Sequence, residues 1–503
     1  MAALFLTVFT RGAMRTLFLL AMSFLSLSLF SSPCFAYTEI VGFFLDDGVG
    51  SLARGGLKRL PESPEKLDFD APLNLDSGGR IRTEVSFEHQ RTIRVYNGGW
   101  AGSHAYSDQL EGAVAAPFSL WDGALAGNFA AGYDYRTFDI KAENRDEDVF
   151  ISASDRFAAR KAGLFLKTLD KVSMGVALVD TDYRSHPEIP LEVNITPVEH
   201  FSVGYKRSYT DIAGNFYGLV SGSNGTVPLL YAEEKNELSV KGEYKGIVMA
   251  QYAQEPGHPG NNRLTGRLEL PWSAYLAGDY NRQTFTFDQN LYVEGGNGGY
   301  LKGEGKWREY RIGFGADLGS HWNIEANFRR QSLNSNGGGL ANSSAILNFW
   351  PSLLVGDYNH LYSVALESYQ YHLGAEYKGE NASFGIGCQY LDIRPVAEMK
   401  YWRSQLFGLG STGEGTLELD TDRIRMFFLS FGVGYQWNSA SVSFAFGQFI
   451  PIETHERSTA ETASPSGGNS GSGSDSDLFS KIGDYINRNP GGNILRFMVK
   501  YYF

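Results

Sequence analysis

From Arg80 to the carboxyl terminus, apolar side chains return at every second position, for ten or more residues at a time. Tyr310, Ile312, Phe314, Ala316 and Leu318 alternate with Glu309, Arg311, Gly313, Gly315 and Asp317. Trp322, Ile324, Ala326 and Phe328 alternate with Asn323, Glu325, Asn327 and Arg329. A period of two sends successive side chains to opposite faces of a strand. The second face carries charge and glycine, never another apolar row. Strands of soluble sandwiches usually run to about five or six residues, and these are far longer. Aromatics gather near run ends, at Trp322, Tyr377, Tyr435 and Trp437, where a bilayer interface holds them.

Such runs lie near 80–95, 104–117, 124–138, 155–168, 172–184, 189–196, 200–208, 236–244, 246–254, 263–271, 274–286, 304–318, 322–332, 364–377, 382–393, 422–437, 441–452 and 492–503. That makes eighteen strands, or sixteen if the weakest runs, 189–196 and 246–254, are set aside. Short connectors such as Gly319-Ser320-His321 alternate with long ones, near 139–153, 209–235, 287–303, 333–363, 394–421 and 453–491. Short turns at one end and long loops at the other suit a membrane barrel, and an even count puts both chain ends on one side. The last strand, with Leu495, Phe497, Val499, Tyr501 and Phe503 on one face, resembles the closing strand of Gram-negative outer-membrane β-barrels. The resemblance is porin-like and matches no particular family. It implies an all-β fold: a transmembrane antiparallel up-and-down barrel in the bacterial outer membrane.

Composition agrees with that class. Aromatics are 14% and charged residues 20% of 503 residues, with 59 glycines. The net charge of −12 argues against a nucleic-acid partner. Arg11 and Arg15 precede an apolar stretch over 16–30, then Ser31-Ser32-Pro33-Cys34-Phe35-Ala36. Residues 1–36 therefore read as an export signal cleaved before Tyr37. After it no apolar run approaches the roughly 18–20 residues that a membrane helix needs. Three regions are expected: the signal peptide 1–36, a periplasmic or barrel-mouth segment 37–79, and the barrel 80–503. Without the signal, Cys388 is the only cysteine, so no intramolecular disulfide forms.

Motifs for chemistry are scarce. Gly408-Leu409-Gly410-Ser411-Thr412-Gly413 fits a dinucleotide string, but it lies in a long loop without the strand and helix that such a site requires. There is no H-E-x-x-H, C-x-x-C or G-x-S-x-G. Cys388 shares a face with Phe384, Ile386 and Tyr390 and reads as a small hydrophobe. Glu143, Asp146, Glu147 and Asp148 form an acidic loop suited to divalent-cation bridging with lipopolysaccharide phosphates. No enzyme, cofactor or bound metal is expected.

Charge facing lipid costs about 2–4 kcal/mol per Arg or Lys at the midplane. The charged residues between the apolar ones should therefore face an interior, and Arg82, Glu84, Glu88, Arg136, Arg311, Asp317, Glu325 and Arg329 are the expected pore-lining set. The expected function is a porin-like channel for passive diffusion of small hydrophilic solutes or ions. One alternative is a scaffold barrel in a trans-membrane complex, either an electron conduit with a multihaem cytochrome or a polysaccharide exporter. Another is a surface adhesin. Expected partners are outer-membrane lipid, lipopolysaccharide, small solutes and a periplasmic or cytochrome protein. The apolar stretch Ile346–Val355 predicts that loop 333–363 folds inward as a constriction, and Leu478–Arg488 has the spacing of a short amphipathic helix.

Overall fold

Each alternating run is a strand in the computed structural model. It describes residues 45, 49–54, 56, 65–94, 100–144, 149–168, 171–182, 187–220, 223–293, 296–341, 358–404, 411–420, 424–452 and 493–503. The first strands are β1 (Arg82–Arg94), β2 (Trp100–Leu120), β3 (Leu125–Asn144), β4 (Val149–Thr168), β5 (Val172–Thr181) and β6 (Leu191–Val198). Then come β7 (Phe201–Val220), β8 (Ser223–Tyr244), β9 (Val248–Glu255), β10 (His258–Leu270), β11 (Ala274–Val293), β12 (Gly296–Leu318) and β13 (Trp322–Ala341). The last are β14 (Tyr358–Lys378), β15 (Ala382–Ser404), β16 (Ser411–Asp420), β17 (Ile424–Gln436), β18 (Ala440–Pro451) and β19 (Asn493–Tyr502).

All pairings are antiparallel and, β4 with β7 and β15 with β17 apart, join sequence neighbours; β1 pairs with β19 from Arg82↔Tyr502 to Arg91↔Asn493, closing the sheet on itself. The nineteen segments make eighteen staves. β16 and β17 pair in succession with the same edge of β15, so β16 continues the stave of β17. The two weakest sequence runs are the two shortest strands, β6 and β9, of eight residues each.

Sidedness follows from the alternation. Tyr310, Ile312, Phe314 and Leu318 on β12 are exposed, and so are Phe427, Leu429, Phe431, Val433 and Tyr435 on β17. Ile312 keeps 58% of its surface accessible, whereas Glu325, inward on β13, keeps 1%. An exposed apolar belt around a whole molecule is far larger than water tolerates on a soluble monomer. The chain is a transmembrane β-barrel. Aromatic pairs edge the belt at the short-turn end, Trp322–Tyr377 at 5.3 Å and Tyr435–Trp437 at 4.6 Å. A second series crosses the upper wall: Tyr280–Tyr310 at 5.0 Å, Phe328–Tyr371 at 5.2 Å and Tyr390–Phe427 at 5.4 Å. Lys245 and Gly246, at φ 51° and 66°, take the double left-handed conformation of a two-residue hairpin turn. The short turns lie at this end and the long strand extensions at the other.

The opposite end departs from the sequence reading. Much of what reads as loop over 209–235, 287–303, 333–363 and 394–421 is strand, since β7, β8 and β11–β15 run well past the apolar belt. Above the bilayer both faces of a hairpin meet water, so alternation disappears while backbone hydrogen bonding continues. Residues 333–341 and 358–363 thus extend the wall. The apolar stretch 346–355, the expected helix 478–488, the signal 1–36 and Asp146–Asp148 lie outside the described residues.

The interior holds chain from before β1. The short helix α1 (Val49–Ala53) and residues 65–77, with a 3-10 turn at Pro72–Leu75, pack against the inner wall. Leu67, Phe69 and Leu75 form an apolar core with Ala115, Ala130, Phe165, Ala177 and Val179 of β2–β5. Inward glycines make the room: a Cβ at Gly163 would strike Leu75, one at Gly175 the backbone of Pro72, and one at Gly432 the side chain of Ala53.

Candidate functional site

The lumen is the candidate site, and its two sides differ. On one side the wall grips the N-terminal segment. Arg54, just after α1, lies between two inward carboxylates: Nε is 3.4 Å from Glu325 and Nη1 is 3.4 Å from Glu376. His372 meets the Arg54 carbonyl through Nε2 and accepts from Asn327 Nδ2 at Nδ1, at 3.0 Å. A carbonyl only accepts and an amide nitrogen only donates, so the ring proton sits on Nε2. The strand β13 supplies Glu325 and Asn327, and β14 supplies His372 and Glu376, because period-two spacing puts each pair on the same face.

A second grip lies on the seam. The Leu67 amide donates to Glu84 Oε1 at 2.5 Å, and Lys66 pairs with Glu111. Arg82 Nη2 donates to the Glu65 carbonyl at 2.9 Å, and Lys500 donates to the same oxygen. The Leu73 amide donates to Glu192 Oε2 at 3.2 Å, and Ser77 Oγ to Asn128 at 2.5 Å. These wall groups satisfy amides and carbonyls that an irregular buried segment cannot satisfy itself.

The other expected inward residues brace the wall. Glu88 pairs with Arg496 at 2.8 Å, and Arg136 with Asp134 at 2.5 Å. Asp317 accepts from Asn323 at 2.6 Å, and Arg329 pairs with Glu309 at 2.9 Å. Arg311 stands opposite both Asp279 and Arg329 in the ladder. Above them Gln331, Gln370 and Gln389 run hydrogen-bonded across β13–β15, at 2.8 Å per step, and all three are buried. So Arg82, Glu84 and Glu325 hold the N-terminal segment, while the remaining five meet wall partners.

Across the lumen the charges are accessible. Half-buried Lys206 and Glu237 stand opposite one another on β7 and β8, in one row with Glu192 of β6, whose carboxylate holds the Leu73 amide. Lys241 and Glu243 on β8 are exposed, Arg263 on β10 is about half exposed (51%), and Arg267 pairs with Glu269 at 2.5 Å while lying over the Tyr275 ring at 4.0 Å. The sequence reading passed over this side. Its signal was present, because Glu237, Ser239, Lys241 and Glu243 alternate with Leu238, Val240, Gly242 and Tyr244. Arg54 had no such signal, since it stands outside any periodic run.

No family model matches the chain, and no curated protein matches it. Among solved structures it is similar to OmpT, an outer membrane protein of Vibrio cholerae, at 11% identity over 84% of this chain and 97% of that one, with a TM-score of 0.33. It is similar to a Pseudomonas aeruginosa FadL homologue at 11% identity, over 90% and 98% of the two chains, with a TM-score of 0.38. The Pseudomonas aeruginosa OccK7 (OpdD) matches at 9% identity over 84% and 99%, with a TM-score of 0.32.

Proposed function

We propose that this barrel is a porin-like channel of the bacterial outer membrane for passive passage of small hydrophilic solutes or ions, with its cross-section set by the N-terminal segment. The observation that carries the reading is the division of the lumen. The wall from β13 round to β5 is occupied by residues 49–54 and 65–77, while the inward face of β7–β10 keeps accessible charges of both signs. An eighteen-stranded barrel is wide enough for an aqueous channel. Mixed charges along one wall set a transverse field, which biases ions without binding them tightly. In this reading residues 1–36 are a removed leader, 37–79 form the lumen segment and 80–503 the barrel. Arg82, Glu84, Glu88, Arg136, Arg311, Asp317, Glu325 and Arg329 line or frame the conduit. The channel carries out no chemistry on its solute.

Planar-bilayer conductance tests this. The mature protein should give small steps, and a variant lacking residues 45–77 should give larger ones. Neutralising Lys206 and Lys241 together should shift selectivity toward cations. Absence of conductance from both the intact and the shortened protein would refute the channel.

A further inference from the structure

The outer wall carries charge as well, and one sector of it is unbalanced. Outward side chains on β12 climb from Leu318 through Phe314 and Ile312 to Tyr310, then become Arg308 and Lys306. The change falls at matching positions next door. On β11 Tyr280 is followed by Arg282, and on β13 Phe328 by Arg330. Tyr280 stands opposite Tyr310, and Arg282 opposite Arg308. Ten residues of strand separate Leu318 from Arg308. At a rise of about 3.4 Å and a tilt near 45° that is roughly 24 Å of height, against an apolar band about 25 Å tall. The cations therefore sit at the outer headgroup level.

In three other sectors an acid stands beside the first cation above the belt, and on β7 Arg207 donates instead to the Ile189 carbonyl at 2.9 Å. His89 meets Asp108 at 2.6 Å, Arg425 meets Asp392 at 3.8 Å, and Arg160 stands opposite Asp180. On β11 and β12 the match is missing: among the described residues no carboxylate forms an ion pair with Arg282, Lys306 or Arg308, and Arg282 Nε is buried without a hydrogen-bond partner. Glu304, two positions above Lys306, is the nearest acid on that face. Glu367 on β14 is bound by Arg330 at 3.3 Å and faces Arg394 across the ladder. Asn262 of β10, opposite Arg282, is neutral. Like charges placed directly across a strand pair repel, so an anion between two opposed arginines is favoured. Arginine forks suit phosphate oxygens, which they grip bidentately.

We propose that Arg282, Lys306 and Arg308, flanked by Arg330, bind the phosphorylated headgroup of an outer-leaflet lipid, its acyl chains lying along Tyr310, Ile312 and Phe314 below. This rests on the barrel's residence in the outer membrane and is independent of whether it conducts. The test titrates full-length protein in detergent with a bisphosphorylated acylated glucosamine lipid, with the same lipid stripped of phosphate, and with inorganic phosphate, counting retained lipid by native mass spectrometry. Removing the phosphates should weaken binding at least about tenfold, and the R282Q/K306Q/R308Q variant should lose as much. R425Q, in the balanced sector, should bind as the parent does. Should the triple variant fail to fold, R308Q alone should lose about threefold or more. Unchanged affinity in the variants, equal binding of the stripped lipid, or displacement by inorganic phosphate at equal concentration would overturn the proposal. Conductance of the triple variant should equal the parent's, so a failed lipid site and a failed channel are read separately.

Discussion

At the scale of single residues, Arg54 and Gly163 hold the lumen segment by opposite means. Arg54 is 3% exposed and faces two carboxylates that are themselves largely covered. Removing one member of a buried ion group costs about 3–5 kcal/mol, because the charge left behind has lost its hydration without a partner. Arg54→Ala should therefore release the segment and leave the barrel intact, since the staves do not depend on it. Trypsin cutting after Lys66 in the folded protein would register the release, and unchanged protection would contradict it. Gly163 acts by having no side chain, so that Leu75 and Phe69 can approach β4. Gly163→Val should overpack that contact by about 1–3 kcal/mol and expose the same cleavage site. The Arg54 triad is electrostatic and set on β13 and β14, the Gly163 contact is apolar and set on β4, so combining the two variants should give nearly additive effects.

At the scale of the strand, the physics is a sorting between two solvents. Along β12, Ile312 faces hydrocarbon between Phe314 and Tyr310, and Arg311 faces inward beside it. Ile312→Arg should cost about 2–4 kcal/mol, because the guanidinium would leave water near the middle of the apolar band. The same replacement at Leu318, at the short-turn edge, should cost about 1 kcal/mol or less. Denaturant titration of folding into lipid vesicles measures both, and equal costs at the two depths would contradict the placement of the belt. Alternation fades once a strand leaves the bilayer, which is why β7, β8 and β11–β15 are longer than their periodic cores.

At the scale of the whole molecule, closure and contents are separate matters. The seam between β1 and β19 gives every stave two neighbours, so the membrane section has no free edge to pair with another chain. On the proposed removal of residues 1–36, the mature amino terminus should be Tyr37 by mass measurement of protein from the membrane; a chain beginning at Met1 there would contradict a cleaved leader. The number of staves and the face of nearly every wall residue were determined by the sequence itself. Alternation is a local property, and with hydrocarbon outside it leaves one choice of side. The contents of the cylinder were decided only in three dimensions. Arg54 finds Glu325 and Lys500 finds Glu65 across hundreds of residues, through a register that no short window contains. The same register decides which inward charges are covered, which meet the open lumen, and that Arg282 and Arg308 stand face to face on the outer wall. Solvent chooses the face of a side chain, and folding chooses its neighbour.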